Sequence, residues 1–312
     1  FLKEGEDRGG YKVRLWRTAR GSKFTLYPNL NAEDPTWRKL LRDVRFRRAL
    51  SLGIDRHEIN QVVFFGLARE GANTVLKESP LFKPEYFKAW ATYDLKAANK
   101  LLDDIGLTER NSRGLRLLPD GRAADIIIDT AGESTLETDV LELVHDSWLK
   151  LGIKLHARPS QREVFRNRIF AGPAVMSVWS GLENGIPSAD MSPAELAPTT
   201  QQQLHWPKWG QYYESSHKVG VKSDVPIILE LSALNEAWRR AKSHEKRAEI
   251  WHKMLRIHAE KTYTIGVISG VLQPIVAKAN LRNLPIEGIY NFDPGAYFGI
   301  YRPETFWFGD EK

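Results

Sequence analysis

The side chains best equipped for chemistry here are eight histidines, many carboxylates and ten tryptophans, in a chain with no cysteine. The missing thiols exclude disulfides, thiol nucleophiles and thiolate metal sites, and they fit an oxidising compartment. His252 and His258 share a helical stretch but stand six apart, about 240° around its axis, so one ion cannot take both. No H-E-x-x-H pair, G-x-S-x-G turn, phosphate loop or G-x-G-x-x-G turn occurs. Asp103 and Asp104 fall near a helix end, where water solvates them. What remains is a group of rings. Trp179, Trp206, Trp209, Tyr212 and Tyr213, with His205 and His217 among them, lie in the proline-interrupted stretch from Trp179 to Asp224, which has no regular period. Large rings stay on irregular chain because they pack or because they bind. With Glu183 and Asn184 they form the candidate ligand-binding set, suited to stacking on a solute or holding a cation over a ring. The chemistry is that of holding a molecule. No catalytic residue, metal site or cofactor is expected.

The surrounding pattern must position that stretch. Tyr11–Trp16 and Lys23–Tyr27 alternate polar and apolar residues and read as strands separated by Gly21-Ser22. Asn29–Pro35 is a polar connector before Trp37–Leu41. Asp43 can cap a short helix with Phe46, Ala49, Leu50 and Gly53 on one face. Asp55 can cap the next, with Glu58 in capping-box position, Ile59, Val62 and Val63 inward, and Gly66 at the exit. Glu70–Phe87 reads as irregular. Asp94 starts a helix with Ala97, Ala98, Leu101, Leu102 and Ile105 on one face, ended by Gly106. Leu115–Leu118 and a turn at Asp120-Gly121 lead to Ala124–Asp129, a strand covered on both faces. Glu137–Leu151 is the clearest amphipathic helix. A strand at Ile153–His156, a helix at Gln161–Phe170 and a strand at Ala174–Val178 follow. Ser243 can cap a helix facing Ile250, Trp251, Met254, Leu255 and His258 inward, before two further strand-like segments. Trp148, Trp238 and Trp251 lie on helical faces and read as core. The alternation predicts an α/β fold, a sheet with helices on both faces. In such folds irregular loops after strand ends take ligands, which again singles out the aromatic stretch.

Composition bounds the function classes. At 312 residues, 42% hydrophobic and 27% charged, the chain can bury a sizeable core. No apolar run is long enough to span a membrane. The opening FLKEGEDRGG is charged and lacks Met, and it reads as a cut end. The net charge of +6 is uneven: the first sixty residues hold fourteen Lys/Arg against eight Asp/Glu, leaving the rest balanced. A basic end suits a nucleic-acid-associated or scaffold protein. The competing expectation has Arg45, Arg47, Arg48 and Arg56 on solvated helix faces or paired with local carboxylates. It is favoured because no aromatic-basic interleaving accompanies the charge.

The wording of Asp43–Gly66, DVRFRRALSLGIDRHEINQVVFFG, resembles the signature of the family 5 solute-binding proteins of ABC importers, the dipeptide, oligopeptide and nickel type. YDLKAANKLLDDIGL, LVHDSWLKLGIKLHARPSQREVFRNRIFAG, the strand ending VWSG and HEKRAEIWHKMLRIHAEKTYTIGV resemble further family segments, in family order. The resemblance implies a type II periplasmic-binding-protein lobe with a mixed sheet, closing on solute against a second lobe. Full members are longer, so the chain would be a C-terminal portion: 1–22 hinge strands and first-lobe remnant, 23–276 the second lobe, 277–312 the return to the first. The implied setting is periplasmic, as a monomer, docking on the importer's transmembrane permease subunits and binding no nucleic acid. The implied solute is a peptide or a similar small molecule, with an oligosaccharide, an opine-like solute or a metal chelate as alternatives. One departure bears on the choice. Peptide-binding members carry W-x-x-D, whose Asp pairs with the ligand's amine, whereas here Trp179 is followed by Ser180, Gly181, Leu182 and only then Glu183.

Overall fold

Side-chain caps open the helices where the sequence offers them. In the computed structural model, which describes residues 1–310, Asp43 accepts from the Arg45 amide, Asp55 from Glu58, Asp94 from Ala97 and Ser243 from Lys246. Each satisfies a first-turn N–H that the helix itself leaves unpaired. The chain runs α1 (Glu6–Gly9), β1 (Tyr11–Arg17), β2 (Phe24–Pro28), α2 (Pro35–Arg42), α3 (Val44–Leu52), α4 (Arg56–Phe64), β3 (Arg69–Glu70), α5 (Pro84–Lys88), α6 (Leu95–Asp104) and β4 (Asp125–Thr130). It continues through α7 (Thr135–Leu149), β5 (Lys154–Pro159), α8 (Arg162–Ala171), β6 (Met176–Trp179), α9 (Pro207–Glu214), α10 (Pro226–Arg240) and α11 (His244–Lys261). It closes with β7 (Ile265–Ser269), β8 (Leu272–Lys278), β9 (Leu281–Arg282) and β10 (Trp307–Phe308).

The main sheet has six strands in the order β3-β7-β2-β6-β4-β5. β4 runs parallel to β5 and β6, while β2 is antiparallel to β6 and β7, so the sheet is mixed. From β4 the chain moves outward through α7 to β5, then back across β4 through α8 to β6. Right-handed crossovers in opposite directions place α7 and α8 on opposite faces. The cores agree. Leu26, Ile126, Ile128 and Val178 join Val140, Val144 and Trp148 in the large cluster, whereas Tyr27 joins Phe165, Ile169 and Leu204 in a second one. The expected sheet with helices on both faces is present. β2 is buried along its whole length, Thr25 included, so its polar-apolar alternation does not mark a solvent face.

Three differences from the sequence reading have local causes. Asp34 accepts from the Trp37 amide with Pro35 at the first helical position, so the connector ends at Asp34 and α2 takes in Pro35 together with Trp37–Leu41. Gly53 caps the end of α3 rather than lying on its face, and it packs so close to Leu151 that a side chain there would collide with it. Pro226 opens α10, a fifteen-residue helix burying Ile228, Leu231 and Asn235, which lacks a side-chain cap to announce it.

Two arginines of the basic end are internal. Arg47 and Arg56 are each 2% exposed. Arg47 donates to the carbonyls of Leu41, Lys261 and Thr262, and Arg56 to those of Ser51, Ala91 and Gly266. Neither is solvated nor paired with a carboxylate, which corrects the expectation for both. Arg45 does pair with Asp43, and Arg48 donates to the Glu260 carbonyl while lying over Trp90. No helix among the described residues is long and apolar enough to cross a membrane.

β1 and β8 form a separate antiparallel ribbon, seven residue pairs long. Trp16 on one side packs with Ile275, Leu284, Phe298 and Tyr301. Leu15 and Val276 on the other are exposed, as are Ile286, Phe292, Ile300, Trp307 and Phe308 in the segment that follows. That segment is tied back to the main body by Asn291, whose amide donates to the Glu183 carbonyl at 2.8 Å.

Candidate functional site

β6 ends at Trp179, and the backbone beyond it is fixed by its neighbours before any side chain is considered. Gly181 donates to the Ser22 carbonyl and accepts none of the bulk a side chain would bring: a Cβ there would meet Asn73 Oδ1 at 2.2 Å and Ser22 N at 2.8 Å. Asn73 in turn accepts from the Leu182 amide at 2.8 Å and donates to Thr264 Oγ1 at 3.0 Å. Further on, Gln203 ties the loop together. Its amide donates to the carbonyls of Ala194 and Glu195, and its oxygen accepts from the Thr199 amide and Trp206 Nε1. An irregular segment becomes rigid because a buried Gln satisfies its backbone.

These loops enclose a cavity of about 360 Å³ at the carboxyl end of β6. Trp179, Tyr27, Glu183, Glu195, Gln203 and His205 are among its walls. Tyr27 reaches in from β2 and donates to the Ser180 carbonyl at 2.6 Å, its hydroxyl held protonated by burial. Trp179 stacks on Phe165 at 5.7 Å and lies 5.2 Å from the Arg162 guanidinium. Glu183 pairs with Arg20 at 2.9 Å. Glu195 accepts from the Glu183 amide at 3.0 and 3.1 Å. It is open to the cavity but ringed by protein, and this burial, with repulsion from Glu183 and Asp293, raises its carboxyl to about 7. His258 is lowered to about 4 by burial, and because its Nε2 faces the Leu196 carbonyl at 2.8 Å, that nitrogen carries the proton. His205 is held well below the usual histidine range by burial, and neither of its ring nitrogens has a partner.

Of the candidate ligand-binding set, Trp179 and Glu183 line this cavity. The others do not. Trp206 is fully buried, edge-on to His258 and Tyr263, and Trp209 is buried beneath the Arg42 guanidinium, so packing has taken both rings. Tyr212 stacks on His217 at 4.7 Å, and Tyr213 donates to Glu236 on α10. Asn184 turns to Met191 and to the Ile186 amide. The rings cluster in sequence because α9 carries several of them, and a helix buries only one of its faces in any one place. The polar wall, Asn73, Glu195, Thr199 and Gln203, was missed. Its only advance signal is a run of small polar residues, which a solvated loop shows equally. Among the described residues no group of three or more His, Asp or Glu is arranged to hold a metal ion.

The family described as "Bacterial extracellular solute-binding proteins, family 5 Middle" matches residues 2–202. No curated protein matches the chain. Among solved structures, the oligopeptide-binding protein OppA is 30% identical over 99% of this chain and 50% of its own, with a TM-score of 0.79. The periplasmic binding protein MelB of Agrobacterium fabrum C58, solved with stachyose, is 16% identical over 99% of this chain and 46% of its own, TM-score 0.76. AppA of Bacillus subtilis, solved with a nonapeptide, gives 14%, 99%, 54% and 0.71. The mixed α/β architecture is that of the type II periplasmic binding proteins, and the chain spans about half the length of these relatives. Matched over most of its length by the family and over nearly all of it by OppA, the chain belongs to the bacterial extracellular solute-binding proteins of family 5.

Proposed function

We propose that this chain supplies one wall of the solute cleft in the extracytoplasmic binding protein of an ABC importer. The observation that carries the reading is the cavity beyond Trp179, at the carboxyl end of β6, a strand parallel to β4, since open α/β sheets take ligands at such strand ends. Residues 23–276 would form the lobe, while 1–22 and 277–312, of which 311 and 312 lie outside the described residues, would hold the hinge strands and the return to a facing lobe. The exposed apolar side chains along the β1–β8 ribbon and residues 286–308 support that division, since a second lobe would cover them. Closure of the two lobes would bury the solute against Trp179 and Glu183, and the closed form would dock on the permease. The protein works as a monomer in the periplasm and releases its cargo unchanged.

A peptide leads as the solute, because OppA and AppA are named or solved as peptide binders, and the stachyose in MelB keeps an oligosaccharide as the alternative. The basic-end alternative is disfavoured by the burial of Arg47 and Arg56, which puts both beyond reach of a phosphate backbone. Intrinsic tryptophan fluorescence of the two-lobed protein that carries this chain, titrated with tri-alanine and with stachyose, tests the proposal. Saturable quenching by either, lost in Trp179→Ala with the fold intact by circular dichroism, is expected. A flat response to both would reject it.

A further inference from the structure

We propose that Glu195 is the anchor for a cationic amino group of the solute. The inference rests on the solute-binding reading above and adds the chemical class of the group recognised.

Glu195 lies in the turn Ala194–Leu196, and that turn is held from both sides. Thr199 Oγ1 and Gln203 Nε2 donate to the Ala194 carbonyl, Gln203 Nε2 also to that of Glu195, and His258 Nε2 to that of Leu196. The backbone cannot swing away, so the carboxylate is presented to the cavity in advance of any ligand. Its hydrogen bonding is incomplete. One backbone N–H, that of Glu183, is shared between its two oxygens, although a carboxylate accepts about four bonds. The guanidinium whose charge reaches it, on Arg20, is engaged by Glu183. With Asp293 close enough to repel it, this corner sets three carboxylates against one guanidinium among the described residues.

A second observation points the same way. His205 is 4% exposed, lines the same cavity, and has no partner for either ring nitrogen. Ser180 Oγ, also in the wall, is unpartnered too. Buried polar atoms are rarely left alone in finished sites, so these mark positions that a polar ligand would complete. A neutral imidazole offers one lone pair and one N–H, which suits the uncharged amide or hydroxyl next to a charged group. An ammonium brings three donors and a positive charge to an acceptor-rich, negative corner. An anionic group would meet the opposite field. Burial and the neighbouring carboxylates disfavour the ionised form of Glu195, and a bound cation is what would restore it.

Isothermal titration of the two-lobed protein that carries this chain with tri-alanine, N-acetyl-tri-alanine and stachyose separates the outcomes. Tri-alanine is expected to bind, with acetylation and Glu195→Gln each weakening it about ten- to a hundredfold, the range for losing one charge-assisted hydrogen bond. Acetylation should cost nothing further in Glu195→Gln, because both changes remove the same contact. Glu195→Asp, which keeps the charge, should recover part of the affinity and guards against a fold defect in the first variant, together with thermal melting of both. Unchanged tri-alanine affinity in Glu195→Gln, or equal binding of the acetylated peptide, would overturn the proposal. Binding of stachyose alone would also overturn it while leaving the solute-binding function standing. Silence with all three would end both.

Discussion

Arg56 is a cation with no anion. Its five N–H groups are spent on neutral acceptors: the carbonyls of Ser51, Ala91 and Gly266, and Ser51 Oγ. One planar fork thus joins the end of α3, the loop before α6 and strand β7, and only a guanidinium has the donors to do it. Arg56→Met keeps the stem's bulk but leaves those carbonyls dry and unpaired, and should cost about 3 kcal/mol in urea unfolding, with Arg56→Lys recovering little. His258 makes the opposite kind of statement. Burial depresses its pKa from 6.5 to about 4, so the unfolded chain binds the proton more readily. The stability this contributes is fully present above about pH 6.5 and is lost as the pH falls towards 4. Because the ring is only partly sequestered from solvent, the loss should be about 2 kcal/mol. Unfolding free energies measured at pH 7 and pH 4.5 should converge in His258→Gln relative to the native chain, and a pH slope unaltered by that substitution would show that the titration lies elsewhere.

Elements were legible in the sequence where the chain writes its own boundaries. Asp43, Asp55, Asp94 and Ser243 each sit at a helix start with the amide they cap two or three residues on, and α3, α4, α6 and α11 were all readable from them. Asp94→Ala should therefore cost about 1 kcal/mol by thermal melting, with little effect beyond α6. α10 begins instead at a proline with no side-chain cap, and nothing local announces it. The site divided the same way. Trp179 could be placed because it ends an apolar strand and precedes irregular chain. Trp206 could not, because a ring on a loop looks alike in sequence whether it faces solute or core, and Gln203 decides the matter only through a fold the sequence does not display. Trp206→Ala should accordingly act on stability, by about 3–5 kcal/mol for a fully buried ring, and not primarily on solute affinity. A variant that kept its melting temperature and lost binding would return Trp206 to the cleft.

At the scale of the molecule, the six-stranded sheet and the β1–β8 ribbon are secured very differently. The sheet lies between two hydrophobic clusters, and β2 and β7 are buried along their full lengths. The ribbon buries Trp16 and Ile275 against one small cluster and leaves Leu15 and Val276 in water. Two strands with one covered face have little stability of their own, so their opening free energy falls below that of the whole. Such an element can bend without disturbing the sheet beside it, which is what the proposed hinge requires. Hydrogen exchange should reflect the difference: the amides of 11–17 and 272–278 should exchange well before those of 24–28 and 265–269. Replacing the exposed Trp307 and Phe308 by Ser should leave the protection of the sheet unchanged, because neither ring belongs to its clusters. If ribbon and sheet exchanged together, the two would form a single cooperative unit, and the ribbon would be a rigid brace instead of a point of flexure.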